Sequence, residues 1–161
     1  MKKKIYIYKK LFFHLTIIFL ILLIDLTSKT WIINNIKPNN TIPITKNINL
    51  TNIYNTGIIF GILSDEEINQ YTIISTISII FLITIILIII QQKKSKTCNI
   101  IQYTIIVGGS LGNILDRIIH KKVTDFIDLH INNWHFPNFN IADISIIIGV
   151  TLIIKNTIQK K

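Results

Sequence analysis

Four stretches of this chain are long and apolar enough to cross a lipid bilayer, and that constrains its fold more than any other feature. They run from about residue 11 to 33, 71 to 90, 98 to 119 and 142 to 157, near the roughly 20 residues that a spanning helix requires. Hydrocarbon offers backbone N–H and C=O groups no partners, so such stretches must close their hydrogen bonds internally, as helices. Half of the residues are hydrophobic and 16% are charged, too few charges to coat a soluble domain of this size. The expected fold is an all-α integral membrane protein with four transmembrane helices, one membrane domain over residues 1–161. A soluble enzyme, a disordered chain and a disulfide scaffold are excluded. The single Cys98 cannot form an internal bridge or a thiolate metal cluster.

Lysine placement predicts the orientation. Eleven lysines lie before the first stretch, between the second and third, and at or beyond the end of the fourth, against four in the other two loops. The positive-inside rule then puts both termini and the middle loop in the cytoplasm. The formal charge of +9 is explained by topology, and nucleic acid is not an expected partner because no basic aromatic-studded module remains to bind it. The first apolar stretch is too long for a cleaved signal peptide and no small-residue cleavage site follows it.

The two outer loops carry strand patterns. In the segment from Ile42 to Leu50, apolar residues recur at even positions, as in a strand with one face down. Val123, Ile127, Leu129 and Ile131 alternate similarly. Pairing of these segments would make a small extracytoplasmic β element. Ser64-Asp-Glu-Glu67 has the spacing of a capping box and should start the second helix.

The remaining acids are Asp25, Asp116, Asp125, Asp128 and Asp143, and four of these five lie inside or at the edge of spanning segments. An ionisable group there is costly unless paired or hydrated, which makes it a functional candidate. At ~1.5 Å per residue, Asp25 lies in the outer third of an outward-running helix. Asn113, Asp116 and Arg117 occupy the outer end of the third helix, Asp143 the first turn of the fourth, and Asp125 the loop between. These groups converge at one level. Lys29 follows Asp25 by four residues, so it can offset that charge and reach toward head groups. Gly108 and Gly112 form a surface for close helix approach. Asn140 precedes Asp143 by three and can cap the fourth helix.

These residues resemble a family. Asp25-Leu-Thr-Ser-Lys29, Asn55-Thr-Gly-Ile-Ile-Phe60-Gly61, the run from Gly108 through Asn113 to Asp116-Arg117, Val123-Thr-Asp125-Phe126 and Phe139-Asn140-Ile-Ala142-Asp143 are similar, in order, to the motifs of lipoprotein signal peptidase (signal peptidase II). Five motifs in register are specific. Ile58 and Ile59 stand where the family has alanines, Ser110 replaces another, and Lys121 occupies a position usually held by glycine.

The resemblance implies a bacterial inner-membrane aspartic endopeptidase that removes signal peptides from diacylglyceryl-modified prolipoproteins, cutting before the lipidated cysteine. Asp125 and Asp143 would be its catalytic pair. Asn55, Asn113, Arg117 and Asn140 would shape the substrate site, with Asp25 and Lys29 holding the first helix against it. Asp116 is expected to be structural. Two close carboxylates share one proton, so one serves as base and the other as acid. The helix start at Asp143 favours charge there and the proton on Asp125. No cofactor or metal is expected, since His120, Asp125, His130 and His135 lack a metalloprotease spacing. The expected partners are diacylglyceryl prolipoproteins and membrane lipids, and the chain is expected to be a monomer. A small four-helix transporter with intramembrane carboxylates is the alternative, but its essential acid would sit near the midplane.

Overall fold

In the computed structural model, which describes residues 2–55, 70–92 and 100–159, four helices support a four-stranded antiparallel sheet. In chain order these are α1 (Lys2–Asn35), β1 (Thr41–Thr45), β2 (Ile48–Asn55), α2 (Gln70–Gln92), α3 (Ile101–His120), β3 (Val123–Ile131), β4 (Trp134–His135) and α4 (Ile141–Ile158). The sheet order is β1-β2-β3-β4. The expected cap at Ser64–Glu67, the two isoleucines of the second motif and Cys98 lie outside the described residues.

Among the described residues, three helices are long and apolar enough to cross a membrane: α1 over Tyr8–Asn35, α2 over Thr72–Gln91, and α4. Their outward faces are bare apolar side chains such as Phe12, Phe19, Ile80 and Ile147, which suits a lipid surround. α3 is different. It packs against α1, α2 and α4, and most of its residues are buried, including Gln102, Thr104, Ser110, Asn113 and Asp116. Its lower hydropathy follows from that central position: it faces protein rather than lipid, so it can carry polar groups.

Glycines set the spacing around α3. A Cβ on Gly108 would lie 3.0 Å from Ile21 of α1, and one on Gly112 would lie 2.6 Å from the Asp25 carboxylate. A Cβ on Gly109 would strike the Ala142 carbonyl at the start of α4. The small-residue surface therefore brings α1 and α4 against the same stretch of α3.

The segment from Ile42 to Leu50 is not one strand. It is a hairpin, turning at Lys46–Asn47 between β1 and β2, with Asn47 N–H donating to Thr45 Oγ1 (3.3 Å). The even-numbered Ile42, Ile44 and Ile48 are exposed rather than packed down. A short polar turn interrupts the run, while the alternation carries through it unchanged. β2 instead continues to Asn55 and pairs with β3, Ile53 lying opposite Asp125 and Asn49 opposite Asp128. Lys121 ends α3 in the left-handed region (φ 59°, ψ 17°), its N–H bonded to the Arg117 carbonyl. This is a conformation that favours glycine and costs another residue about 1–2 kcal/mol. The turn into β3 is kept despite the lysine.

Candidate active site

Asn140 organises the site from the N-cap of α4. It is fully buried and forms a complete capping box with Asp143. Its Oδ1 accepts the Asp143 N–H at 3.0 Å, and its own N–H donates to Asp143 Oδ2 at 3.1 Å. Such a cap is worth about 1 kcal/mol to a helix. Here it has a second consequence, because the side-chain amide also donates to Asp125 Oδ1 (2.7 Å). One residue is thus bonded to both carboxyls.

The other donors come from different elements. Asn55, at the end of β2, donates to Asp125 Oδ2 at 2.9 Å. Asn113, on α3, donates to Asp143 Oδ1 at 2.8 Å. Its amide oxygen in turn accepts from Lys29 Nζ (2.9 Å). Lys29 also sits 2.8 Å from Asp25 Oδ2 and 3.5 Å from Asp116 Oδ2. Asp25 Oδ1 accepts the backbone N–H of Ala142 (2.8 Å), and Asp116 Oδ2 accepts that of Thr124 (2.8 Å). These two bonds tie the starts of α4 and β3 to α1 and α3.

Lys29 is only 2% exposed, which corrects the expectation that it reaches toward head groups. Two carboxylates and an amide oxygen compete for its ammonium inside the protein, and they hold it there. Arg117 is half-buried, and its guanidinium contacts the Asn113 carbonyl at 3.4 Å. Among the described residues it enters no ion pair. It therefore stands beside the network without bonding directly to either carboxyl.

Burial pushes Asp125 up to about 6, and the nearby Asp143 carboxylate adds to that rise, against the hydrogen bonds from Asn55 and Asn140. Asp125 also lines a cavity of about 430 Å³ with Tyr54, Asn55, Phe136 and Asn138. A carboxyl raised toward neutrality beside a second carboxyl, at the edge of an open space, is equipped for acid–base work on a bound group.

Asp128 has a different setting. Burial pulls it upward, but hydrogen bonds from His135 (2.8 Å) and Asn49 (2.7 Å) outweigh that and hold it below the usual carboxylate range. His120 bonds to Asp116, and the rings of His130 and His135 stack with centroids 4.9 Å apart. Among the described residues, no three potential ligands gather where they could hold a metal ion. The bridging role of Asn140 was only half visible in the sequence: the cap spacing was legible, the contact with Asp125 was not. Asn49 and His135 were missed, because only the strand register places them on Asp128.

Membrane-length helices holding two hydrogen-bonded carboxyls at one end present the features of a membrane-embedded acid–base enzyme. The signal peptidase (SPase) II family model matches residues 17–159. A lipoprotein signal peptidase of Buchnera aphidicola subsp. Acyrthosiphon pisum (strain APS) is 41% identical over 155 residues, 96% of this chain and 97% of that relative. One from Yersinia enterocolitica is 40% identical over 136 residues, covering 84% and 80%. A solved bacterial membrane enzyme superposes with a TM-score of 0.78 at 31% identity, covering 92% of this chain and 94% of its own. This chain belongs to the signal peptidase II family, whose peptidases are of the aspartic type.

Proposed function

We propose that this protein is a membrane aspartic endopeptidase that removes the signal peptide from diacylglyceryl-modified prolipoproteins, with Asp125 and Asp143 as the catalytic pair. The observation that carries the assignment of residues is Asn140 bonded to both carboxyls. Asp125 holds the shared proton and Asp143 the charge; the pair activates a water with one oxygen and protonates the scissile carbonyl or leaving amine with the other. Asn55 and Asn113 orient the carboxyls, and Arg117 holds the peptide backbone. Lys29, Asp25 and Asp116 fix the scaffold.

The proposal extends to the setting. α3 is the fourth membrane span, its polar face screened by the other three helices. The chain is one membrane domain and works as a monomer among lipids of the bacterial inner membrane. Both termini are cytoplasmic, and the sheet and carboxyls lie on the outer side. Reporters fused after Asn40 or Asn133 should be extracytoplasmic and one fused after Lys94 cytoplasmic. The opposite pattern would put the carboxyls on the wrong side for an exported substrate.

The direct test uses purified protein in lipid. Diacylated prolipoprotein should be cleaved far faster than the unlipidated precursor, because the anchor holds the scissile bond at the depth of the pair. Chelators should leave the rate unchanged. Equal cleavage of both precursors, or strong inhibition by a zinc chelator, would defeat the reading.

A further inference from the structure

A second cavity, of about 270 Å³, opens between α2, α3 and α4 and is lined by Ile77, Phe81, Ile146, Ser110, Asn113 and Arg117. Its walls are apolar except along α3 and at Ser78 of α2, whose hydroxyl is bonded to the Ile74 carbonyl. The Ser110 hydroxyl departs from the common helical pattern, as does that of Ser75 on α2. A helical serine or threonine ordinarily returns its proton to the carbonyl one turn back, as Ser78, Thr84, Thr104 and Ser145 do. Among the described residues, the buried Ser110 hydroxyl has no hydrogen-bond partner. Alanine, the family's residue here, would leave no such cost, since a buried unpaired hydroxyl is unfavourable.

Ser110 and Arg117 stand seven residues apart on α3, so both face the same cavity about 10 Å apart along the axis. An extended peptide rises about 3.3 Å per residue, so that separation matches about three residues. An acyl chain would leave the hydroxyl and the guanidinium unpaired, whereas the carbonyls of an extended peptide would satisfy them. Asn113 lines this cavity and also bonds to Asp143, so a segment seated here would run directly to the carboxyl pair.

The geometry points to Ser110 as a specificity-determining residue that, together with Arg117, binds backbone carbonyls of an extended signal-peptide segment just upstream of the cleaved bond. This inference rests on the peptidase reading above. Ile77, Phe81 and Ile146 then receive the apolar side chains of that segment.

The test is kinetic, on diacylated prolipoprotein in lipid. Ser110→Ala should raise KM about 3- to 10-fold with kcat changed by less than about twofold, the pattern of a lost hydrogen bond that is equal in ground and transition states. Alanine favours the helix, so folding should be unimpaired. A second measurement locates the contact. Backbone amides upstream of the cleavage site are replaced one at a time by esters, whose carbonyls accept more weakly. One ester position should raise KM for the wild type and not for Ser110→Ala. An unchanged KM in Ser110→Ala would overturn the inference and leave the peptidase reading standing. So would an effect that follows acyl-chain length rather than ester position, or a fall in kcat together with a lower melting temperature. No cleavage of lipidated precursor by the wild type would instead overturn the peptidase reading itself.

Discussion

Asp125→Asn and Asp143→Asn should each reduce cleavage of a diacylated precursor by at least about 10²–10⁴-fold, the range expected for loss of a general acid or base. Asparagine is nearly isosteric, so the scaffold should survive. In Asp143→Asn the amide oxygen can still accept from the Asn140 N–H, preserving the box that starts α4. In Asp125→Asn one of the two donors, Asn55 or Asn140, loses its acceptor, a cost of about 1–3 kcal/mol. Rates must therefore be compared at matched levels of folded protein in the membrane. Asp128→Asn is the control. Its carboxyl is buried against Asn49 and His135, away from the pair, and most activity should remain. The pH profile adds a signed expectation. Asp125 pushed up to about 6 keeps its proton below that pH and gives it up above. A reaction needing one proton on the pair should thus slow as pH rises through an apparent value near 6 that belongs to the pair. Robust cleavage by either asparagine variant, or activity that climbs steadily through pH 6, would refute the shared-proton pair.

Lys29→Met should have the second-largest effect, and it should act first on stability. The ammonium offsets Asp25 at 2.8 Å and Asp116 at 3.5 Å, with all three side chains almost wholly buried. Removing this ammonium leaves two buried carboxylates close together, and breaking such a pair typically costs about 3–5 kcal/mol. The damage should spread. Asp25 holds the Ala142 N–H at the start of α4, and Asn113 loses the shorter of two donors to its amide oxygen and keeps only Asn140, so its hold on Asp143 weakens. Thermal unfolding in detergent should shift down by many degrees, with activity falling in parallel. Lys29→Met combined with Asp25→Asn should recover part of the stability, since one uncompensated charge is then gone. If Lys29→Met melts like the wild type, the ammonium is not what holds these helices together.

The helices were legible because lipid permits few alternatives. An apolar run near 20 residues has one way to satisfy its backbone, so α1, α2 and α4 follow from length and hydropathy. α3 was legible from its glycines and polar row, although these lower its hydropathy. The candidate site was visible as a coincidence of depth: Asp25, Asn113, Asp116, Asp125 and Asp143 fall at one level once the helices are counted. The cap spacing of Asn140 and Asp143 is a local signal and appears as the expected box.

Contacts between distant segments were another matter. Alternation from Ile42 to Leu50 reads equally well as one strand or as a hairpin, because a two-residue turn preserves the period of two. Lys29, near the end of a membrane-length helix, could have pointed toward head groups. Only the packing of α3 against α1 turns it inward, onto Asn113 and Asp116. Likewise, β2–β3 register brings Asn55 to Asp125 and Asn49 to Asp128. Sequence by itself determined which segments are helical and which acids need an explanation, because hydrophobic length and the cost of buried charge act residue by residue. Tertiary structure decided which donor faces which carboxyl, because that depends on close helix crossings and strand register, set by contacts far apart along the chain.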